Sequence, residues 1–192
     1  QRAYALPVRA RCTPYGTGDR RAACRCCGLP WDAVGQTAGM RAAIIDRFGG
    51  PEEFHLVDDL PTPTPGPGEV LVRVLAAGVN PVDYKIRDGS SGVAKKLGPE
   101  DFPLVLGREC CGEVAELGEG VTDLKVGQRV YGMPSMTHKA GCYAEFVALP
   151  AEGLAPAPEK ADTIALAGTA LAGITAWTAV HDLAKVTADD VV

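Results

Sequence analysis

From residue 61 the chain alternates between stretches that cannot be helical and stretches that read as strands. Pro61-Thr-Pro-Thr-Pro-Gly-Pro-Gly forms a rigid, extended approach that ends in a turn. It runs straight into Glu69-Val-Leu-Val-Arg-Val-Leu-Ala-Ala-Gly, a strand pattern with Val70, Val72, Val74 and Ala76 on one face. Leu71 and Leu75 share the other face with Arg73, which predicts partial burial there. The punctuation continues. Residues 104–117 predict a strand region broken at Gly107 and Gly112, and Gly118-Glu-Gly-Val-Thr-Asp a turn. Val126-Gly-Gln-Arg-Val-Tyr-Gly predicts a turn into a strand, and Tyr143-Ala-Glu-Phe-Val-Ala-Leu one strand more. Gly (23) and Pro (15) fill about a fifth of the 192 positions, a density that favours turns over long helices. The expected fold is mainly β with short helices, a barrel-like body of many short strands. With aromatics at 6%, its core must be Val, Leu, Ile and Ala.

Met40 divides the chain. Residues 1–39 show no sustained period, while Met40-Arg-Ala-Ala-Ile-Ile reads as an initiator followed by a first strand. The first stretch is therefore expected to be an extension, unstructured or not native to the fold. Its four cysteines, Cys12, Cys24, Cys26 and Cys27, make a zinc site the competing reading. Three thiols within Cys24-Arg-Cys-Cys lie too close for the usual knuckle spacing, and Cys12 has no neighbour to pair with. Charge splits at the same place. Residues 1–39 carry six Arg against Asp19 and Asp32, a net of +4; the rest carries 13 basic against 22 acidic side chains, a net of −9. An acidic body argues against nucleic acid as a ligand. The first 30 residues hold no apolar run of signal-peptide length, and the body's cysteines (Cys110, Cys111, Cys142) are odd in number, so a cytoplasmic protein with free thiols is expected.

Pro156-Ala-Pro closes the β region, and residues 159–192 change style. Asp162 is placed to cap a short helix through Ala167. Gly173 is expected to open a second, with Ile174, Trp177, Val180 and His181 at helical spacing. Thr163 to Val180 is 18 residues without a charge, yet it is built from Ala, Thr and Gly, too weakly apolar for a membrane span. The closing Val-Thr-Ala-Asp-Asp-Val-Val reads as the approach to a strand.

Several ordered blocks carry a resemblance: Met40-Arg-Ala-Ala-Ile, Pro67-Gly-Glu-Val-Leu-Val-Arg-Val, Gly78-Val-Asn-Pro-Val-Asp-Tyr-Lys-Ile-Arg-Asp-Gly, Pro103-Leu-Val-Leu-Gly-Arg-Glu-Cys-Cys-Gly-Glu-Val, Val126-Gly-Gln-Arg-Val-Tyr-Gly, Gly141-Cys-Tyr-Ala-Glu-Phe-Val and Leu171-Ala-Gly-Ile-Thr-Ala-Trp. By their order and spacing, residues 40–192 resemble the N-terminal part of medium-chain dehydrogenase/reductases, in the zinc-free quinone oxidoreductase-like branch. The resemblance implies a GroES-like β-barrel catalytic domain over 40–158. It also implies interdomain helices over 159–192 that lead into a Rossmann α/β domain. No Gly-x-Gly-x-x-Gly occurs anywhere in the chain. A fragment truncated at the start of that second domain is therefore expected. At full length the resemblance implies a homodimer binding NADPH, or alternatively NADH.

The resemblance also nominates site residues. Asn80 matches a position near the nicotinamide ring, and Thr175 one near its carboxamide; a turn before Pro81 and a helix cap are their structural readings. Lys85 stands where relatives place a cofactor-contacting Tyr. Tyr84 carries a phenol suited to donate a proton to an enolate oxygen, although adjacent helical residues project about 100° apart, so Tyr84 and Lys85 cannot both face one site. Asp83 is expected to pair with Arg87 one turn on. Arg108, His55, His138 and His181 are expected to be structural or on the surface.

Zinc-dependent relatives supply a Cys where this chain has Asn80-Pro81 and a His where it has Arg108. A guanidinium cannot bind Zn²⁺, and Cys110 and Cys111 read as core thiols. No metal is expected. Without a Lewis acid an alkoxide is costly, since water's own pKa is about 16. Quinones and conjugated enones accept hydride to give a phenolate or enolate that one hydrogen bond stabilises. The function expected is zinc-independent, NAD(P)H-dependent reduction of such small molecules, with no nucleic acid or membrane partner. The alternative is a truncated GroES-like module without activity of its own.

Overall fold

The computed structural model describes residues 2–4, 39–134, 139–187 and 189–190. Cys12, Cys24, Cys26, Cys27 and His138 lie outside the described residues. Among the described residues nine strands form two antiparallel sheets. They are β1 (Arg2–Tyr4), β2 (Met40–Ile45), β3 (His55–Leu60), β4 (Glu69–Val79), β5 (Leu104–Val105), β6 (Cys110–Leu117), β7 (Arg129–Gly132), β8 (Phe146–Pro150) and β9 (Leu154–Pro156). The larger sheet runs β1-β4-β6-β7-β9 with β8 also on β4, and the smaller runs β3-β2-β5. β6 takes one edge of β4, from Val70 to Ala77. The other edge is shared by β8, at Glu69–Arg73, and β1, at Ala77–Val79. Three residues of the expected extension thus pair with the body.

β4 is the spine because its sequence is apolar on both faces. Val70, Leu71, Val72, Val74, Ala76 and Ala77 are buried, and Arg73 is half-exposed against Glu113 across the strand pair, at 2.5 Å. A core of Val70, Val72, Val114, Val130, Val147 and Leu149 fills the space between strands. The smaller sheet closes onto the larger where Ala42 bridges Ala144 and the amide of Ala43 donates to the Tyr143 carbonyl.

The turns stand where Gly allows positive φ: Gly68 (74°) before β4, Gly107 (97°) before β6 and Gly127 (82°) before β7. Gly112 does not break a strand as expected. It lies inside β6, where a Cβ would come 2.3 Å from the Arg73 carbonyl oxygen, so its smallness lets β4 approach.

The described residues also form three α-helices, α1 (Pro81–Arg87), α2 (Thr163–Ala167) and α3 (Ala170–Trp177), the last extended by a π-helical turn, Thr178–Leu183. Asp162 caps α2 as expected, its Oδ1 accepting from the Ala165 amide at 2.8 Å. α3 begins at Ala170, and Gly173 lies inside it instead of opening it. Once α2 ends at Gly168, Thr169 already has helical φ and ψ, so the new helix starts without waiting for Gly173. The Thr187 amide donates to the Asp190 carboxylate at 2.8 Å, and the strand expected after it falls outside the described residues. Among the described residues no helix is long and apolar enough to cross a membrane.

Candidate active site

The loop after β4 carries the first candidate. Asn80 precedes α1 in extended conformation, Pro81 fits the first helical position with φ already set, and Asp83 reaches back so that its Oδ2 accepts from the Asn80 amide at 2.8 Å. Asn80 itself is buried, and its Nδ2 donates to Glu109 Oε1 at 2.7 Å.

Asp83 does not pair with Arg87. It faces inward on α1 with Ile86, and its Oδ2 also accepts from Tyr143 Oη at 2.8 Å. Arg87 Nε instead donates to the Gly49 carbonyl. A seven-residue helix has one buried face, and the i+4 partner lies at its rim. Burial raises the Asp83 pKa against the opposing Asn80 amide, Tyr143 hydroxyl and Arg108 charge; its Oδ1 is buried without a well-directed hydrogen bond. Burial and the Asp83 charge push the Tyr143 phenol well above its ordinary range. Tyr143 is therefore a fixed hydrogen-bond donor.

Arg108 is buried, its Nη1 donating to the Ala140 carbonyl, and burial lowers its pKa despite the nearby Cys142 thiol and Asp83 carboxylate. Glu109 is fully buried. Its Oε2 accepts from the Leu171 amide at 2.8 Å, so one carboxylate reaches both the α1 loop and α3. Gly78 makes this possible, because a Cβ there would lie 2.2 Å from Glu109 Oε1.

Thr175 lies in the interior of α3 and is no cap. Its Oγ1 donates to the Leu171 carbonyl one turn back at 2.8 Å, which leaves the oxygen's lone pairs as acceptors. Asn80 and Thr175 are thus joined through Glu109 and Leu171. Tyr84 and Lys85 stand apart, both exposed on α1. His55 is exposed beside Asp46, and His181 stacks on Trp177 with ring centroids 4.3 Å apart.

Cys110, Cys111 and Cys142 are free and buried. The hydrogen bond to the Cys142 thiol, then burial, raise the Cys110 pKa, and burial raises that of Cys111, which fits thiols packed in the core. Among the described residues no three His, Cys, Asp or Glu converge as metal ligands.

The Asp83–Tyr143 pair and Glu109 were not foreseen as site residues. The signal was present in Leu106-Gly-Arg-Glu-Cys-Cys-Gly, where two charges interrupt an apolar run. Charged residues are rarely buried unless paired, so such an interruption marks a buried polar joint.

Residues 66–159 match the family described as alcohol dehydrogenase GroES-like domain. The chain is 37% identical over 149 residues to a Drosophila melanogaster protein named NAD(P)H oxidoreductase RTN4IP1, mitochondrial, spanning 74% of this chain and 36% of that one. The quinone oxidoreductase structure from Coxiella burnetii superposes with a TM-score of 0.72 at 39% identity, over 79% of this chain and 47% of that one. A mycobacterial Rv1454c structure complexed with NADPH superposes at 0.67 with 34% identity, over 78% and 42%. The chain thus spans less than half the length of each of these proteins. It carries a GroES-like domain and belongs to the quinone oxidoreductase-like medium-chain dehydrogenase/reductases.

Proposed function

We propose that this chain is the catalytic-domain portion of an NAD(P)H-dependent oxidoreductase that reduces quinones or conjugated carbonyls without zinc. The observation that carries the reading is the donor set at the joint of α1, β6 and α3. Asn80 donates one side-chain amide hydrogen to Glu109, and Arg108 presents a buried guanidinium. Neither is a thiolate or imidazole, so these positions do not fit a Zn²⁺ ion.

The residues do suit a nicotinamide. Thr175 Oγ1, its own hydrogen committed to Leu171, accepts from a carboxamide N–H. Asn80 holds the ring edge, and Lys85, projecting about 100° from Tyr84, is left to a phosphate or ribose hydroxyl away from the ring. When bound, the dihydronicotinamide supplies the hydride. Tyr84 Oη, exposed on α1, donates the proton or hydrogen bond that stabilises the enolate or phenolate oxygen. A mononucleotide head suffices for these contacts; the 2′-phosphate that separates NADPH from NADH is read elsewhere. NADPH is favoured by the mycobacterial relative's complex. A homodimer at full length and a cytoplasmic location accompany the reading, and buried free thiols suit any reducing compartment.

The second reading is a module without activity of its own. Mixing the 192-residue chain with NADPH and a simple benzoquinone tests whether this portion turns over by itself, which neither reading expects; the two separate in a longer chain. No loss of dihydronicotinamide absorbance above the uncatalysed rate is expected. In a chain continuing into a dinucleotide-binding domain, Tyr84→Phe should lower the rate by about 10²-fold without abolishing it. An unchanged rate removes Tyr84 as the donor.

A further inference from the structure

We propose that Glu109 is a positioning residue that sets Asn80 and Thr175 in one fixed geometry; the nicotinamide role of those two residues rests on the function proposed above. Glu109 is fully buried, and an ionised side chain is retained in such a place only when its oxygens are well paired. The two oxygens serve elements far apart in sequence. Oε1 takes Asn80 Nδ2 at 2.7 Å, and Oε2 takes the Leu171 amide at 2.8 Å.

α3 needs this partner. The first amides of a helix have no carbonyl within the helix to bond. Thr169, at the cap position, makes no side-chain cap; its Oγ1 donates to the Ala165 carbonyl instead. The cap of α3 is therefore supplied from before β6 by Glu109, whose negative charge also suits the positive end of the helix dipole. The same residue, Leu171, then takes the Thr175 hydroxyl on its carbonyl. A continuous hydrogen-bonded path runs Asn80–Glu109–Leu171–Thr175, with one charged group at its centre.

The slot around the carboxylate is built for it. The Gly78 amide donates to the Glu109 carbonyl at 3.2 Å, and a Cβ at Gly78 would strike both Glu109 Oε1 and the Ala167 carbonyl, at 2.2 and 2.6 Å. Asn80 Nδ2 and the Leu171 amide both meet the carboxylate as N–H donors. Glu109→Gln keeps the shape but can accept through one oxygen only, and its own NH₂ meets the other donor.

Amide hydrogen exchange on the 192-residue chain tests the path. In Glu109→Gln the Leu171 amide should exchange at least tenfold faster while the amides of Val72 and Val114 keep their protection. Asn80→Ala should also speed exchange at Leu171, and should do so far less in the Glu109→Gln background, because the coupling passes through the carboxylate. Glu109→Asp, which keeps the charge but shortens the reach, should restore part of the Leu171 protection. Unchanged exchange at Leu171, an Asn80→Ala effect independent of Glu109, or an equal loss over the whole β body, Glu109→Asp included, would overturn the proposal. Titration with reduced nicotinamide mononucleotide is the separate arm. Shifts at Asn80 and Thr175 that weaken several-fold in Glu109→Gln support positioning of the ligand contacts. Binding that is unaffected by Glu109→Gln overturns it. Intact coupling without any such binding instead removes the nicotinamide reading of Asn80 and Thr175.

Discussion

Strand β4 buries seven of its eleven residues, whereas α3 and its π-helical extension bury Ala170 alone. Both were apolar in sequence. In β4 neighbouring strands and the opposite sheet cover both faces, so Leu71 and Val72 are buried on opposite sides. On α3 the stripe stays open: Ile174 is 57% exposed, Trp177 60% and Leu183 76%. An apolar stripe at helical spacing states that a face is suited to burial. Only packing decides whether anything in the same chain covers it.

The comparison can be broken most forcefully from the β side. Leu149 is completely buried on β8 beside β4, and Leu149→Ala should cost about 2–5 kcal/mol in denaturant unfolding. A cost below 1 kcal/mol would mean the sheet core tolerates a cavity that its packing says it cannot.

A second test concerns the polar seam between β4 and α1. Burial raises the folded-state pKa of Asp83 above its ordinary 3.8. A raised carboxyl favours folding below that value and loses its contribution as pH rises through the folded pKa. Thermal unfolding of the parent chain and Asp83→Asn, compared from acid to neutral pH, should show the parent's relative standing best in acid and declining upward. A constant difference would show that the seam does not shift the group.

The edge supplied by β1 should matter less. Removal of residues 1–39 takes away the short pairing at Ala77–Val79 and should cost about 1 kcal/mol, the net worth of one or two backbone hydrogen bonds. A loss of several degrees beyond that would show that the extension packs on the body. Zinc bound in stoichiometric amount and lost with the same deletion would support the competing cysteine site.

The smallest effect belongs to the open face. Trp177 covers His181 on one side and little else, so Trp177→Ala should change stability by less than about 1 kcal/mol. A larger loss would place a cover on α3, and the contrast with β4 would narrow.

What was legible in the sequence was local. Val70, Val72 and Val74 announce a strand by period two, Gly68 and Gly127 announce turns because only Gly enters positive φ freely, and Asp162 announces a helix start three residues before the amide it caps. These depend on neighbours within a few positions. Gly173, a strong local signal for a helix start, lies three residues inside α3, because Gly is tolerated within a helix.

What only the tertiary structure decided lies between distant residues. Asp83 could satisfy its charge with Arg87 four positions on, yet it turned to Tyr143, 60 positions away, because the packing of α1 against the sheets buried that face. Glu109 found Asn80 and Leu171, 29 and 62 positions away, through the register of β4 on β6 and the seating of α3. Periodicity records which face of an element is apolar. It carries no record of which polar group will stand opposite once strands pair, and a buried carboxylate takes whichever donors the assembled fold brings within 3 Å.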